Sequence, residues 1–482
     1  MSNRHPYWYP LLILTLLCTC VSAQHNVTPW TEVAIGLPVA GKLKTLTTHE
    51  VKGYPWSVGG ETMDRDYTIY DNWKAYVEPL GITQVRLQSG WAKTEKKQGQ
   101  YDFAWLDHHV RDLVKKGVKP WISLSYGNEI YSGGGGIRLG AGLPNSGTAK
   151  EGWKRYVRAT VARYSDVVDV WEVWNEPNNN WRPDNPGHGN PPEDYAAFLM
   201  MTSKIIRELQ PKATIIGMAS AGIATQWNAR VLRYLKANDG LESLDLLCYH
   251  PYSLNPDAVD RGVAELRDTL RKYSDRIELY QGENGAPSEF RNTKALSKYN
   301  WTELSQAKWF LRRAINDRGQ GIGTSIFSIV DLQYPDEINR KGLLLTNDNK
   351  EVVRPKHAYS AVQNLVSLFG ADVVRRPDFD YKAATYHGVK AYAFDRSNAA
   401  LVAFWFGDNI PSDYNTTTAV DLTFRKTTFK DPVCVDLRTG QVYEIPASRH
   451  RVENQDHVFF GIPVYDSPTV IAERSALPGI LK

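Results

Sequence analysis

Between Tyr54 and Gly370 short apolar, β-rich runs alternate with amphipathic stretches, and this alternation limits the folds open to the chain more than any other feature. The runs are "YPWSVGGE", "ITQVRLQSGW", "KPWISLSYGN", "VDVWEVWNEP", "TIIGMASAG", "LDLLCYHPY", "RIELYQGENG" and "IGTSIFSIVD". Between them apolar residues recur with a period near 3.6, the mark of a helix with one buried face. "FAWLDHHVRDLVKKG" ends on a capping Gly, and "DYAAFLMMTSKIIRELQP" stops at a Pro. A last helix, "RPKHAYSAVQNLVSLFG", follows the eighth strand. Eight strand–helix units match the count and scale of a (β/α)8 TIM barrel, typically ~250 residues before insertions. The competing arrangement, a doubly wound open sheet, uses fewer units and carries a Gly-rich phosphate loop that is missing here.

Beyond Gly370 the pattern changes to short strands split by turns, such as "VKAYAFDR", "ALVAFWFG" and "PVCVDLRTGQVYEI". The expected architecture is therefore α/β: a catalytic barrel over 53–369, then a small antiparallel β-sandwich over 370–482 that braces it. Residues 24–52 are expected to add strands to the sandwich. The first 23 residues have a basic start, an apolar run and small residues ending at Ala23, the layout of a secretory signal peptide. The apolar run is shorter than the ~20 residues that span a bilayer, so no stable membrane insertion is expected after cleavage and the product is secreted, periplasmic or at the cell surface. A retained membrane anchor is the rival reading. After cleavage Cys248 and Cys434 remain, expected as two free buried thiols. Net charge is +4 with no Lys/Arg block, which argues against a nucleic-acid partner.

Catalytic groups of such barrels sit at the C-terminal ends of the strands. Those ends carry Glu61, Arg86, Asn128 with Glu129, Asn175 with Glu176, His250 with Tyr252, Glu283 with Asn284, and Asp331. Glu176 on the fourth strand and Glu283 on the seventh face one another across the mouth. Two opposed carboxylates are what glycoside hydrolysis requires, one as acid and one on the other face of the sugar. Arg86 is expected beside Glu283, keeping it ionised, with Tyr252 as its hydrogen-bond partner. His250 reads equally as a rim residue or a site residue. Glu172 reads as a structural residue of a lower barrel layer. Trp91, Tyr126, Asn128, Trp181, Arg182, Trp301 and Tyr334 are expected on substrate-facing loops, with Arg138 and Arg182 as candidates to meet a uronic acid. The glycine run Gly133 to Gly136 reads as a mobile loop over the mouth. No H-E-x-x-H, C-x-x-C, P-loop or G-x-S-x-G motif is present, so neither metal nor other cofactor is expected.

With "WEVWNEPN" and the trailing β-sandwich, the chain resembles the clan of retaining glycoside hydrolases that place glutamates after strands four and seven. Within it the chain looks most like glycoside hydrolase family 39. The resemblance implies an oligo- or polysaccharide substrate with an equatorial linkage, Glu176 as acid/base and Glu283 as nucleophile. It implies that Asn175 binds the hydroxyl next to the anomeric carbon, and that Arg86 and Tyr252 position the nucleophile. Two departures stand out: the nucleophile motif is "GENGAP" rather than Glu-Trp, and Phe327 stands where the clan often has the Trp of the sugar platform. A transglycosylase using the same residues, or a carbohydrate-binding protein on an inactive barrel, would share most of this pattern.

Overall fold

A computed structural model describes residues 33–53, 56–179 and 189–482. The signal-peptide reading, Trp181 and Arg182 lie outside the described residues. Eight parallel strands close into a barrel: β1 (Ser57–Gly59), β2 (Gln84–Gln88), β3 (Lys119–Leu124), β4 (Val170–Val173), β5 (Thr214–Ala221), β6 (Leu246–His250), β7 (Glu278–Asn284) and β8 (Gly323–Ile326). Closure is made where Ser57 of β1 pairs with Ser325 of β8. An open doubly wound sheet is thereby ruled out.

The outer helices follow their apolar periodicity. Helix Ala104–Lys115 buries Leu106, His109, Val110 and Leu113, which share one face at spacings of three and four. Helix Asp260–Arg271 does the same with Val263, Leu266 and Leu270. The first crossover differs from the others, being built from the one-turn helices Tyr70–Trp73 and Val77–Leu80. Helix Glu303–Gly319 is buried nearly all round. Its second face is covered by the C-terminal region, which explains why its sequence lacks a clean polar side.

That region is an antiparallel sandwich of an eight-stranded and a four-stranded sheet. Strand Ala399–Phe406 shows how it joins the barrel. Alternate residues of a strand face opposite ways. Ala400, Val402 and Phe404 pack inside the sandwich with Val420, Leu422, Phe424 and Phe459. Leu401, Ala403 and Trp405 belong to the apolar cluster that is continuous with the barrel. Both faces are buried, so the strand reads as an unbroken apolar run. Strand Val39–Leu43 pairs with Gln441–Glu444 and Ile480–Leu481, entering the larger sheet near one edge. Cys248 and Cys434 are both free and buried.

Candidate active site

The C-terminal ends of the strands surround a cavity of about 1450 Å3. At its floor lies Arg86 of β2, fully buried, with its guanidinium spread across four acceptors. Nη1 donates to Glu61 Oε1 at 3.0 Å and to Glu283 Oε2 at 2.9 Å, while Nη2 donates to Glu172 Oε1 at 2.5 Å and to Asn175 Oδ1 at 2.7 Å. One cation therefore organises three carboxylates drawn from β1, β4 and β7. The planar fork of Arg suits this shared role, which a single ammonium could not fill.

Glu283 receives a second hydrogen bond, from Tyr252 Oη to Oε1 at 2.9 Å. Burial works to raise its carboxyl. The nearby positive charge of His250 and Arg86, with the bonds from Tyr252 and Arg86, outweighs burial and holds it below its usual range. Glu61 has the opposite fate. Burial pushes it up to about 7 against the pull of Arg86, helped by the charge of Glu283. Its Oε2 has no hydrogen-bond partner among the described residues.

Glu176 sits across from this group. Its Oε1 meets His250 Nδ1 at 3.0 Å, and its Oε2 accepts from Asn179 Nδ2 at 2.7 Å. His250 Nδ1 also lies 3.8 Å from Glu283 Oε2, so the imidazole stands between the two carboxylates. Burial works to lower His250, but the Glu283 charge and its contacts with Cys248 and Glu176 hold it well above its usual range. An oxygen of Glu176, a nitrogen of His250 and an oxygen of Glu283 all lie within 4.8 Å of one another.

Local backbone explains how these groups reach the cavity. Trp174 and Glu176 have φ of 68° and 47°, in the left-handed region that large side chains rarely adopt. Next to them Met218 and Ala219 share that region, at an irregularity where β5 shifts register against β6. Glu176 N–H bonds the Ala219 carbonyl at 3.0 Å, so the distorted ends of β4 and β5 hold each other in place. Strained backbone that its surroundings hold in place is commonest at functional sites. On the other side, Gly282 precedes Glu283 where a Cβ would lie 2.3 Å from Cys248 Sγ. Only glycine lets β7 approach β6 so closely.

The structure gathers Glu176, Glu283, Asn175, His250, Tyr252, Tyr126 and Phe327 at the cavity wall, with Tyr334 and Arg138. Tyr126 Oη accepts from Asn175 Nδ2 at 2.6 Å. Three expected contacts are elsewhere. Trp91 is fully buried, donating to Glu95 Oε2 at 2.5 Å and stacking with Tyr131 and Tyr156. Asn128 donates to the Glu95 carbonyl at 2.8 Å and fastens the loop after β3 from below. Trp301 is buried with its indole on the Leu296 carbonyl. All three satisfy their polar groups inside the protein, so they support the wall rather than line it. The glycine run does line the cavity, but backbone bonds from Gly127 to Gly136 and from Asn128 to Gly134 tie it down. A Cβ on Gly134 would lie 2.0 Å from the Asn128 carbonyl oxygen, so the run serves close packing.

Other residues escaped the sequence reading. Asn179 falls in the same "NEPNN" run as Glu176, so its one-turn spacing was a usable signal. Arg65, Gln88 and Lys341 also line the cavity, on segments whose sequences carry no such mark. Among the described residues two groups have metal-ligand chemistry, Glu176–His250–Glu283 and Glu172–Cys248–His250. Their carboxylates already accept hydrogen bonds from Asn179, Tyr252 and Arg86.

No protein-family model matches the chain. In sequence, 143 residues are 28% identical to a 6-phospho-beta-glucosidase of Dickeya chrysanthemi, a match over 28% of this chain and 29% of that enzyme's length. The chain thus spans under a third of this curated relative. In structure it is similar to a family 39 glycoside hydrolase from Bacteroides cellulosilyticus WH2, with TM-score 0.60, 18% identity, and coverage of 89% of this chain and 83% of that one. A monomeric beta-xylosidase from Caulobacter crescentus CB15 gives TM-score 0.56 and 16% identity over 90% and 97% of the two chains. A GH30 endoxylanase from Clostridium papyrosolvens C71 gives 0.55 and 14% over 91% and 98%. At these identities the likeness is one of fold, and it is the barrel-plus-sandwich fold that the Asn-Glu-Pro resemblance implied.

Proposed function

We propose that this chain is a retaining O-glycoside hydrolase that cleaves an equatorial linkage, β-D or α-L, in an oligo- or polysaccharide. One observation carries the reading. Two carboxylates at the ends of β4 and β7 bring oxygens within 4.8 Å of each other, and one of the two is held ionised by Arg86 and Tyr252. Retaining enzymes need their carboxyl groups ~5–5.5 Å apart, whereas inverting ones leave ~6.5–9.5 Å for a water. The short approach favours retention. The fold shared with family 39 and family 30 hydrolases agrees with it.

In the first step a Glu283 oxygen attacks the anomeric carbon. The bond to the leaving oxygen breaks, and Glu176 gives that oxygen its proton. In the second, water attacks the same carbon, Glu176 takes the water's proton, and the ester to Glu283 breaks. Arg86 and Tyr252 keep the nucleophile charged and aimed. His250 and Asn179 fix the Glu176 carboxyl in rotation, so that its proton points toward the leaving group. Asn175, held between Arg86 and Tyr126, presents its amide to the hydroxyl beside the anomeric carbon. Phe327 supplies a flat apolar wall for the sugar ring. The N-terminal 23 residues are read as a signal for export, which would place the enzyme where it meets polymers. No helix among the described residues is long and apolar enough to cross a membrane.

The test exposes wild type and Glu283→Gln to plant and bacterial polysaccharides and aryl glycosides, reading reducing sugars and anomeric configuration. Cleavage with retention by wild type, falling on the order of 10⁴-fold or more in the variant, is expected. Equal activity in both, or an inverted product, sinks the mechanism. Binding without any cleavage favours the carbohydrate-binding alternative, and transfer to an added sugar favours the transglycosylase.

A further inference from the structure

Among the described residues three lysines are buried, and their surroundings differ. Lys308 lies 2.6 Å from Asp466 and Lys356 lies 2.6 Å from Asp331, so each has a carboxylate within ion-pair distance. Lys341 is 3% exposed and lines the cavity. Its ammonium bonds the Ala295 carbonyl at 3.0 Å, and it forms no ion pair among the described residues. It sits over the ring of Tyr252 at 5.1 Å, and Tyr252 is the residue that hydrogen-bonds Glu283.

The surroundings add charge of the same sign. Arg291, on the loop after β7, bonds Asn339 at 3.2 Å and Glu337 at 2.5 Å, and its Nε is buried without a hydrogen-bond partner among the described residues. Lys294 pairs with the same Glu337 at 2.9 Å and with Asp336 at 3.1 Å. Arg291 and Lys294 thus engage Glu337 and Asp336 between them, and neither carboxylate lies within ion-pair distance of Lys341. A buried ammonium without a counter-charge is costly, and a fold that needed only packing there would be served by Met or Leu. Burial and Arg291 push Lys341 well below the usual lysine range, against the weaker opposite pull of the Glu283 and Glu337 charges.

We propose, building on the hydrolase reading, that this end of the cavity is a subsite for an acidic group carried by the substrate sugar, and that Lys341 recognises it. The group is a ring carboxylate, a sulfate ester or a phosphate ester. Each offers a buried ammonium the negative oxygens that the protein itself withholds. Arg291 and Lys294 favour the approach of the same group from the rim.

The experiment measures equilibrium binding by calorimetry. D-Glucuronate, D-galacturonate, glucose 6-sulfate and glucose 6-phosphate are compared with D-glucose and D-galactose, on wild type and on Lys341→Met. One charge-assisted bond corresponds to a factor of about ten or more in affinity. At least one acidic sugar should therefore bind about tenfold tighter than its neutral counterpart in wild type. That excess should vanish in Lys341→Met, which should melt no lower than wild type. The acidic sugar that responds identifies the group. Acidic and neutral sugars binding alike, no binding by any acidic sugar, or an excess that survives Lys341→Met overturns the proposal. If Lys341→Met gives no folded protein, Lys294→Met at the rim decides instead: a reduced excess supports the subsite and an unchanged one overturns it. Binding is read without turnover, so failure here is distinguishable from a failure of Glu283→Gln to abolish cleavage.

Discussion

The protein buries charge in two places and treats it differently. Where the sandwich meets the barrel, charges are matched. Arg312 Nη2 lies 2.5 Å from Asp257, which also accepts from the Trp405 indole of the sandwich, and Lys308 is paired with Asp466. At the mouth of the barrel the charges are unequal. Arg86 serves Glu61, Glu172 and Glu283 together, and Lys341 forms no ion pair among the described residues. A matched pair holds two surfaces in register and asks nothing of a ligand. An unmatched group remains ready to gain a proton, a bond or a counter-ion, which is what chemistry on a substrate demands. The same side chains thus build an interface in one region and a reactive site in the other.

Substitutions can separate the two regimes. After Glu283→Gln, the largest effect is expected from Glu176→Gln, which should lower turnover of unactivated glycosides by about 10²–10⁴-fold, the usual worth of general acid–base catalysis. Substrates with good leaving groups should lose less, and a loss equal for all leaving groups would contradict the acid role. At the interface, Arg312→Met should cost about 1–3 kcal/mol of stability, because it strips buried Asp257 of its guanidinium bonds and leaves it only the Trp405 indole and Lys390 at 3.5 Å. Urea denaturation reads this, with kcat/KM at low temperature unchanged. Activity lost without stability would mean that the interface shapes the mouth, and the contrast would fail.

The smallest effect sharpens the comparison through pH. Glu61 is raised from 4.5 to about 7, so the folded protein keeps this proton after the unfolded chain has released it. Stability from this group is full below pH 4.5 and falls as pH rises through 7. Glu283 is shifted the other way, and its contribution is lost only as pH falls below the ordinary carboxylate range. In Glu61→Gln the decline between these values should flatten, so the Tm gain over wild type grows with pH. A gain that is constant or shrinks with pH would show that Glu61 is not the group holding the proton.

Much of this was readable from the chain. The alternating periods of apolar residues specify strands and helices locally, and eight repeats leave little choice but a closed barrel. Because such barrels present the ends of their strands to the cavity, Glu176, Glu283, Arg86, Tyr252 and Asn175 could be picked out by position alone. Loop aromatics and amides could not be sorted in this way. Trp91, Asn128 and Trp301 look the same in sequence whether they stack on a sugar or on Tyr131 and Glu95, since either partner satisfies a flat ring or an amide.

What the sequence determined by itself is the order of elements and the identity of the groups that stand at strand ends, because both follow from short-range periodicity. Tertiary structure alone decided how charge is shared. Arg86 meets partners 25, 86 and 197 residues away, and the carbonyl under Lys341 is 46 residues off. Electrostatic energy depends on distances through space and on burial, and neither is written in the spacing of residues along a chain.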